Sequence, residues 1–246
     1  MWCIANRLSI NTLKTFFILF QTKTQNELLP PLVIRNNFSY DVIKRVTHLQ
    51  FLGVIYDEKL TFAKHIAMLS NNLSRSSSLI YQLRDYLPIY ILKNIYYAHI
   101  YPHLNYCNPI WSNTYKIHLS PLITIHKRII RNIAKAEFLE HTGPLYKNLK
   151  ILNIDNICKQ NLSLLMYKQL KNNEFNLPIH PLNHTHFTRN RGTLIAPQHR
   201  TTLYSNSFIV QAVNVWNSIS SAIRDAPTIN TFKKRIGKYL LNGSIQ

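Results

Sequence analysis

Glycine is scarce in this sequence, with only Gly53, Gly143, Gly192, Gly237 and Gly243 among 246 residues. They are too scattered to write either GxGxxG or GxxxxGK[ST], which excludes the backbone loops that cradle nucleotide phosphates. Acids are scarce as well: of ten Asp and Glu, only Asp57 and Glu58 are adjacent. A two-metal or paired-carboxylate centre needs clustered carboxylates that hold cations about 3.5–4 Å apart, so most hydrolase and polymerase chemistry lacks its ligands here. Three cysteines, Cys3, Cys107 and Cys158, are odd in number and far apart. That argues against a disulfide framework and for a reducing compartment. No segment approaches the ~20 apolar residues of a membrane span, and the run Phe16–Phe20 is too short for the apolar part of a secretory signal. The expectation is an intracellular protein, nuclear or cytoplasmic, with no membrane partner.

What the chain has in excess is positive charge and aromatic surface. It carries 29 Lys and Arg, a formal net charge of +19 and a pI near 10.0, yet remains 46% hydrophobic, with 14 Tyr, 11 Phe and 3 Trp. This is the composition of a folded basic protein, not of a disordered basic tail. Such a surplus attracts polyanions, and nucleic acid is the first partner to consider. At roughly 100–200 residues per domain, the length suits one large or two small domains.

The hydrophobic period changes once along the chain. Phe16–Phe20 has the length and composition of a buried strand, and Leu32-Val33-Ile34 and Val46 to Tyr56 also read as strands, with Gly53 marking a turn or bulge. From Thr61, expected as an N-cap, Ile66, Leu69, Leu73, Ile80, Leu83 and Leu87 recur at three- and four-residue steps, with Ser76 completing the stripe and Pro88 ending it. A second helix runs from Ile89 through His99. Ser120 and Pro121 then read as the start of a helix over 122–138, in which Leu122, Ile123, His126, Ile129, Ile130 and Ile133 form one stripe. Lys127, Arg128, Arg131 and Lys135 lie largely on the other side of it, and no acid occurs between Tyr86 and Ala136. Thr142-Gly143-Pro144 reads as a break before a helix over 151–170. Residues 171–206 read as an irregular connection, and two short helices follow around Phe208–Ile219 and Phe232–Leu240. The fold class is mainly α with a small β part.

His99, His103 and Cys107 fall at i, i+4 and i+8 and would align on one helix face, as metal ligands can; His180, His184 and His186 invite the same reading. Pro102 and Pro109 interrupt the first set, and neither set has the second half-site of a Cys/His pair. No metal site is expected, and no activating motif surrounds any cysteine.

The order of several strings resembles the end of the palm, the thumb and the C-terminal region of a non-LTR retrotransposon reverse transcriptase of the Jockey-like, LINE-type group. Phe51-Leu52-Gly53-Val54, Asp57, Leu60-Thr61-Phe62 and His65-Ile66 resemble the family's primer-grip turn and the helix leading into the thumb. Tyr101-Pro102-His103-Leu104 with Tyr106 and Trp111, then Arg128-Ile129-Ile130-Arg131, are similar to later thumb elements. Phe187-Thr188-Arg189-Asn190, Val215-Trp216-Asn217-Ser218, Phe232-Lys233-Lys234 and Tyr239-Leu240-Leu241 resemble its C-terminal strings. Ser9-Ile10-Asn11 and Lys14-Thr15 resemble the stretch just beyond the family's aromatic-x-Asp-Asp hairpin, with Phe16 where a second lysine is usual.

The resemblance implies a palm remnant over 1–60, a helical thumb over 61–140 and a helical C-terminal region over 141–246. It also implies that the metal-binding carboxylates lie upstream of the matching strings. Mg²⁺ and deoxynucleotides then belong to the intact family enzyme, no cofactor to this chain, and polymerisation by this chain alone is not expected. What remains is binding of template-primer, RNA and DNA, with a full-length reverse transcriptase as a further candidate partner. Phe51, Leu52 and Gly53 would hold a primer terminus, Gly53 letting the backbone approach closely. Lys127, Arg128, Arg131 and Lys135 would track phosphates. The alternative is a freestanding basic helical nucleic-acid-binding or scaffold protein without catalysis.

Overall fold

Up to Asp57 the described chain holds one 3₁₀ turn, Thr12–Lys14, and short strands, and helices dominate it from Ala63 onward. The computed structural model describes residues 5–8, 10–20, 31–35, 40–172, 174 and 193–243. They are mainly helical with a small sheet part, in two compact units, residues 1–65 and 66–246. Among the described residues no helix is long and apolar enough to cross a membrane.

Among the described residues of the first unit the strands pair two by two. β1 (Phe16–Phe17) runs parallel to β4 (Lys44–Arg45), β2 (Val33–Arg35) antiparallel to β3 (Tyr40–Val42), and β5 (His48–Phe51) antiparallel to β6 (Val54–Asp57). The buried five-residue strand expected at Phe16–Phe20 is therefore a two-residue one, with Phe16 and Phe20 42% and 51% exposed. Its partner β4 is itself only two residues long, so the ladder ends there. The β5–β6 hairpin closes Phe51 on Val54 through Leu52 and Gly53, whose φ angles of 47° and 80° are both left-handed. That is the geometry of a type I′ turn, whose right-handed twist matches its strands; Gly53 adopts it freely and Leu52 at a cost.

After the hairpin, Asp57 organises the entry to the first helix. One carboxylate oxygen accepts the Lys59 and Thr61 N–H groups at 3.1 and 3.0 Å; the other accepts the Phe62 N–H at 2.7 Å and the Thr61 hydroxyl at 3.1 Å. Burial alone would raise this carboxyl, but the donors of Thr61, Phe62 and Lys59 together bring it below its ordinary 3.8. Thr61 thus serves Asp57, and the helix α1 (Ala63–Leu83) begins two residues later than the expected cap.

The second unit is built on stripes at helical spacing. On α1, Ile66, Leu69, Leu73 and Ile80 are buried, and the small residue in the stripe is Ser77, 1% exposed, not Ser76. α2 (Ile89–His99), α3 (Tyr101–Asn105) and α4 (Asn108–Trp111) follow, burying Leu92, Tyr96, Ile100, Leu104 and Trp111 completely. α5 (Lys116–Ala134) starts before the expected Ser120-Pro121 signal and stops before Phe138, with Pro121 inside it. Buried Leu119 extends the apolar stripe one turn toward the N-terminus. The carbonyl that Pro121 leaves without a donor belongs to Ile117, which is 77% exposed. The expected break at Thr142-Gly143-Pro144 instead opens α6 (Thr142–Leu149). Pro144 lies in the first turn, where a missing N–H removes no intrahelical bond.

α7 (Ile154–Asn172) is the central helix. It buries Ile157, Leu162, Met166 and Tyr167 together with Asn156, Gln160 and Ser163, so it is covered on more than one face. The short α8 (Thr202–Ser205) leads into α9 (Phe208–Ser218); α10 (Ser221–Arg224) leads into α11 (Ile229–Asn242). α9 and α11 pack on α7 around Trp216, Phe232, Ile236 and Leu240. Tyr167 stacks on Phe232 at 4.6 Å between ring centroids and donates its hydroxyl to the Ala226 carbonyl at 2.7 Å. Of the expected irregular connection, 173 and 175–192 lie outside the described residues.

A polar link crosses the core beneath α5. His126, 1% exposed, has its two ring nitrogens each 3.0 Å from a tyrosine hydroxyl, Nε2 from Tyr96 and Nδ1 from Tyr146. Burial pushes the imidazole down to about 3, so the ring is neutral.

Candidate nucleic-acid interface

Arg128, Arg131 and Lys135 come together, and Lys127 does not join them. The first three line a cleft of about 680 Å³ with Ser77, Ser78, Tyr81, Gln82 and Arg84 of α1 and the following turn, Asn132 of α5, and Ala136, Glu137 and Phe138. Lys127 is an exposed residue elsewhere on α5. Phe51, Leu52 and Gly53 belong to the first unit; they form a hairpin tip, with Phe51 58% and Leu52 72% exposed.

Ser77 sets how α1 and α5 meet. Its hydroxyl accepts Nε of Arg128 at 3.1 Å, and its carbonyl accepts Nδ2 of Asn132 at 3.4 Å. A larger side chain at this fully covered position would part the helices. Arg131 is held in the same manner, its Nε donating to the Glu140 carbonyl at 2.8 Å. Arg84 has its Nε 3.6 Å from the Asp85 carboxylate and its guanidinium 4.5 Å from the centroid of the Tyr81 ring. Arg84 thus lies over the Tyr81 ring, while Arg128 and Arg131 are fixed at the inner nitrogen of the fork. The two outer nitrogens, the pair that meets two oxygens of a phosphate, are directed by an anchored plane.

Lys135 occupies the end of α5 and not its helical face. Its N–H bonds the Asn132 carbonyl and the next N–H, of Ala136, bonds the Arg131 carbonyl, while Lys135 itself is left-handed at φ 55°. This is a Schellman closure in which the left-handed position, usually glycine, is a lysine. The backbone conformation costs roughly 1–2 kcal/mol in a residue with a Cβ. Glu137 is the one acid lining the cleft, against four cations.

Arg84 and Tyr81 are the residues that sequence reasoning missed. The signal was present in part: Ser74, Ser78, Gln82 and Arg75 leave the outer side of the α1 stripe uncharged or basic. Which helix that side faces depends on contacts about fifty residues apart, such as the 51-residue separation of Arg128 from Ser77.

The other constellations do not assemble. His99 ends α2, His103 lies in α3 and Cys107 is the left-handed residue before α4, so the three share no helix face. His180, His184 and His186 lie outside the described residues. Among the described residues no group of three or more His, Cys, Asp and Glu could hold a metal ion. The adjacent acids do not fit Mg²⁺ either: Asp57 is occupied by four donors, and Glu58 takes the Arg45 guanidinium at 2.7 Å. Cys158 is buried, and burial raises its thiol to about 11, against nucleophilic use. No family model, curated protein or solved structure matches the chain.

Proposed function

We propose that the chain binds nucleic acid through its sugar-phosphate backbone, with the α1–α5 cleft as the contact surface, as the thumb part of a non-LTR retrotransposon reverse transcriptase. RNA and DNA of a template-primer are the partners, and a full-length reverse transcriptase is a further one. The observation that carries this reading is the set of cations gathered at the cleft: Arg128 and Arg131, each fixed at Nε, Arg84 laid over the Tyr81 ring, and Lys135 held at a helix end in a conformation that favours glycine. Fixing the forks of Arg128 and Arg131 in advance reduces the entropy lost when they meet phosphate, and the cations outnumber the acids at the cleft even with Arg84 beside Asp85. The protein supplies binding and no phosphoryl-transfer chemistry of its own.

The salt dependence of binding to a labelled duplex or RNA–DNA hybrid tests this. Four neutralised phosphates give a slope of log K against log salt near −3.6, at ~0.9 per contact on duplex. Arg84→Gln, Arg128→Gln, Arg131→Gln and Lys135→Gln together should flatten that slope and weaken all sequences alike. Lys135→Gly is the sharper single change: it should stabilise the fold by up to about 1 kcal/mol while reducing the slope by about one contact. A quadruple variant with the wild-type slope would overturn the assignment.

A further inference from the structure

Two aromatic rings line the same cleft and are left open to solvent, Tyr81 at 55% and Phe138 at 77% exposure. One face of Tyr81 carries the Arg84 guanidinium at 4.5 Å, so a flat cation and a flat ring are already stacked at the cleft. Contacts with backbone phosphates need neither ring. An unpaired base offers two open π faces to such surfaces, whereas a base in a duplex has both covered by its neighbours. Shape points the same way. A duplex is a convex rod that touches a concave site along its rim. A cleft of about 680 Å³ lies within the roughly 300–1,000 Å³ range of sites that enclose a small molecule, enough to admit a nucleotide. Gln82 lines the same space with an amide suited to an exposed base edge, and Ser78, whose hydroxyl donates to the Ser74 carbonyl at 3.2 Å, adds an acceptor.

Building on the backbone-binding reading above, we infer that the cleft takes an unpaired stretch of nucleic acid, bases stacking on the Tyr81–Arg84 pair and on Phe138 while Arg128, Arg131, Lys135 and the edge of the Arg84 guanidinium hold the flanking phosphates. Single-stranded nucleic acid is then the preferred ligand of this cleft.

The test is a fluorescence-anisotropy titration of the full chain with a labelled 12-nucleotide single strand and with a blunt 12-base-pair duplex at one salt concentration. Tyr81→Ala and Phe138→Ala should each weaken the single strand about 5- to 150-fold and change duplex affinity less than twofold. Tyr81→Phe, which keeps the ring, should restore single-strand binding. Both side chains are exposed, so thermal midpoints matching wild type exclude misfolding as the cause. Alanine variants that bind the single strand like wild type, or that weaken both ligands equally, overturn the inference. If those variants are silent but the quadruple Gln variant loses binding, the phosphate-binding reading stands and this one fails. If the wild-type chain binds neither ligand, both fail.

Discussion

Replacing His126 by Gln should remove much of the protein's sensitivity to mild acid. The folded chain holds the imidazole neutral down to about pH 3, because burial excludes the water that would stabilise its charged form. In the unfolded chain the same ring takes up a proton near its ordinary 6.5. Between those two values the unfolded state binds one more proton than the folded state, so stability falls as pH falls, and above about 6.5 the ring contributes no pH dependence. The slope is at most about 1.4 kcal/mol per pH unit, and across the whole window the loss is on the order of 4–5 kcal/mol. A Gln side chain offers one donor group and one acceptor to the two tyrosine hydroxyls and does not titrate in this range. Urea unfolding followed by circular dichroism at pH 7.5, 6.5, 5.5 and 4.5 measures the difference. Wild type should lose more stability than His126→Gln with each step below 6.5, the gap reaching roughly 2–3 kcal/mol by pH 4.5. His65, also lowered by burial, acts in the same direction in both proteins and cancels in the comparison. Parallel curves for the two proteins from pH 6.5 to 4.5 would refute the argument.

Three further outcomes are expected. Leu52→Asn should stabilise the β5–β6 hairpin by up to about 1 kcal/mol, because Asn-Gly suits two left-handed turn residues and Leu52 is 72% exposed; unchanged or lower stability by urea unfolding would count against the turn. Given primed template, Mg²⁺ and deoxynucleotides, the purified chain should extend no primer above background, since Asp57 and Glu58 are occupied by internal partners; extension abolished by Asp57→Asn with Glu58→Gln would contradict this. Limited proteolysis should cut the chain ahead of Thr61 faster than within 62–170, because the described strands pair in twos and leave apolar residues such as Leu13 and Val42 exposed; equal protection, read by mass spectrometry, would reverse that expectation.

The change of period near residue 61 made the fold class legible, since apolar residues at three- and four-residue steps persist from Ile66 to Ile80 and again through α5. Boundaries were less legible because local signals were outweighed by burial. Ser120-Pro121 has the form of a helix start, yet buried Leu119 extends the stripe upstream and an exposed carbonyl tolerates the proline. Thr142-Gly143-Pro144 reads as a break, but a proline in a first turn costs no hydrogen bond, so the same three residues begin α6. Half of the cleft was readable from the acid-free basic stretch of α5. Lys127 belongs to that stretch in composition but not in space, and Arg84 belongs in space but not in sequence, because one helix's polarity pattern gives its face and not its neighbour.

The Tyr96–His126–Tyr146 link also has a direction. A neutral imidazole carries one proton, so one hydroxyl donates to the ring and the other accepts from it. The accepting tyrosine must then send its own proton elsewhere. Tyr96 is fully buried, with the His126 nitrogen as its hydrogen-bond partner, while Tyr146 is only partly buried. The arrangement that leaves no proton of the fully buried hydroxyl unused has Tyr96 donating to Nε2, the ring proton on Nδ1, and Tyr146 accepting it. The fold therefore favours one tautomer of a core histidine, the Nδ1–H form, by the unequal burial of its two neighbours.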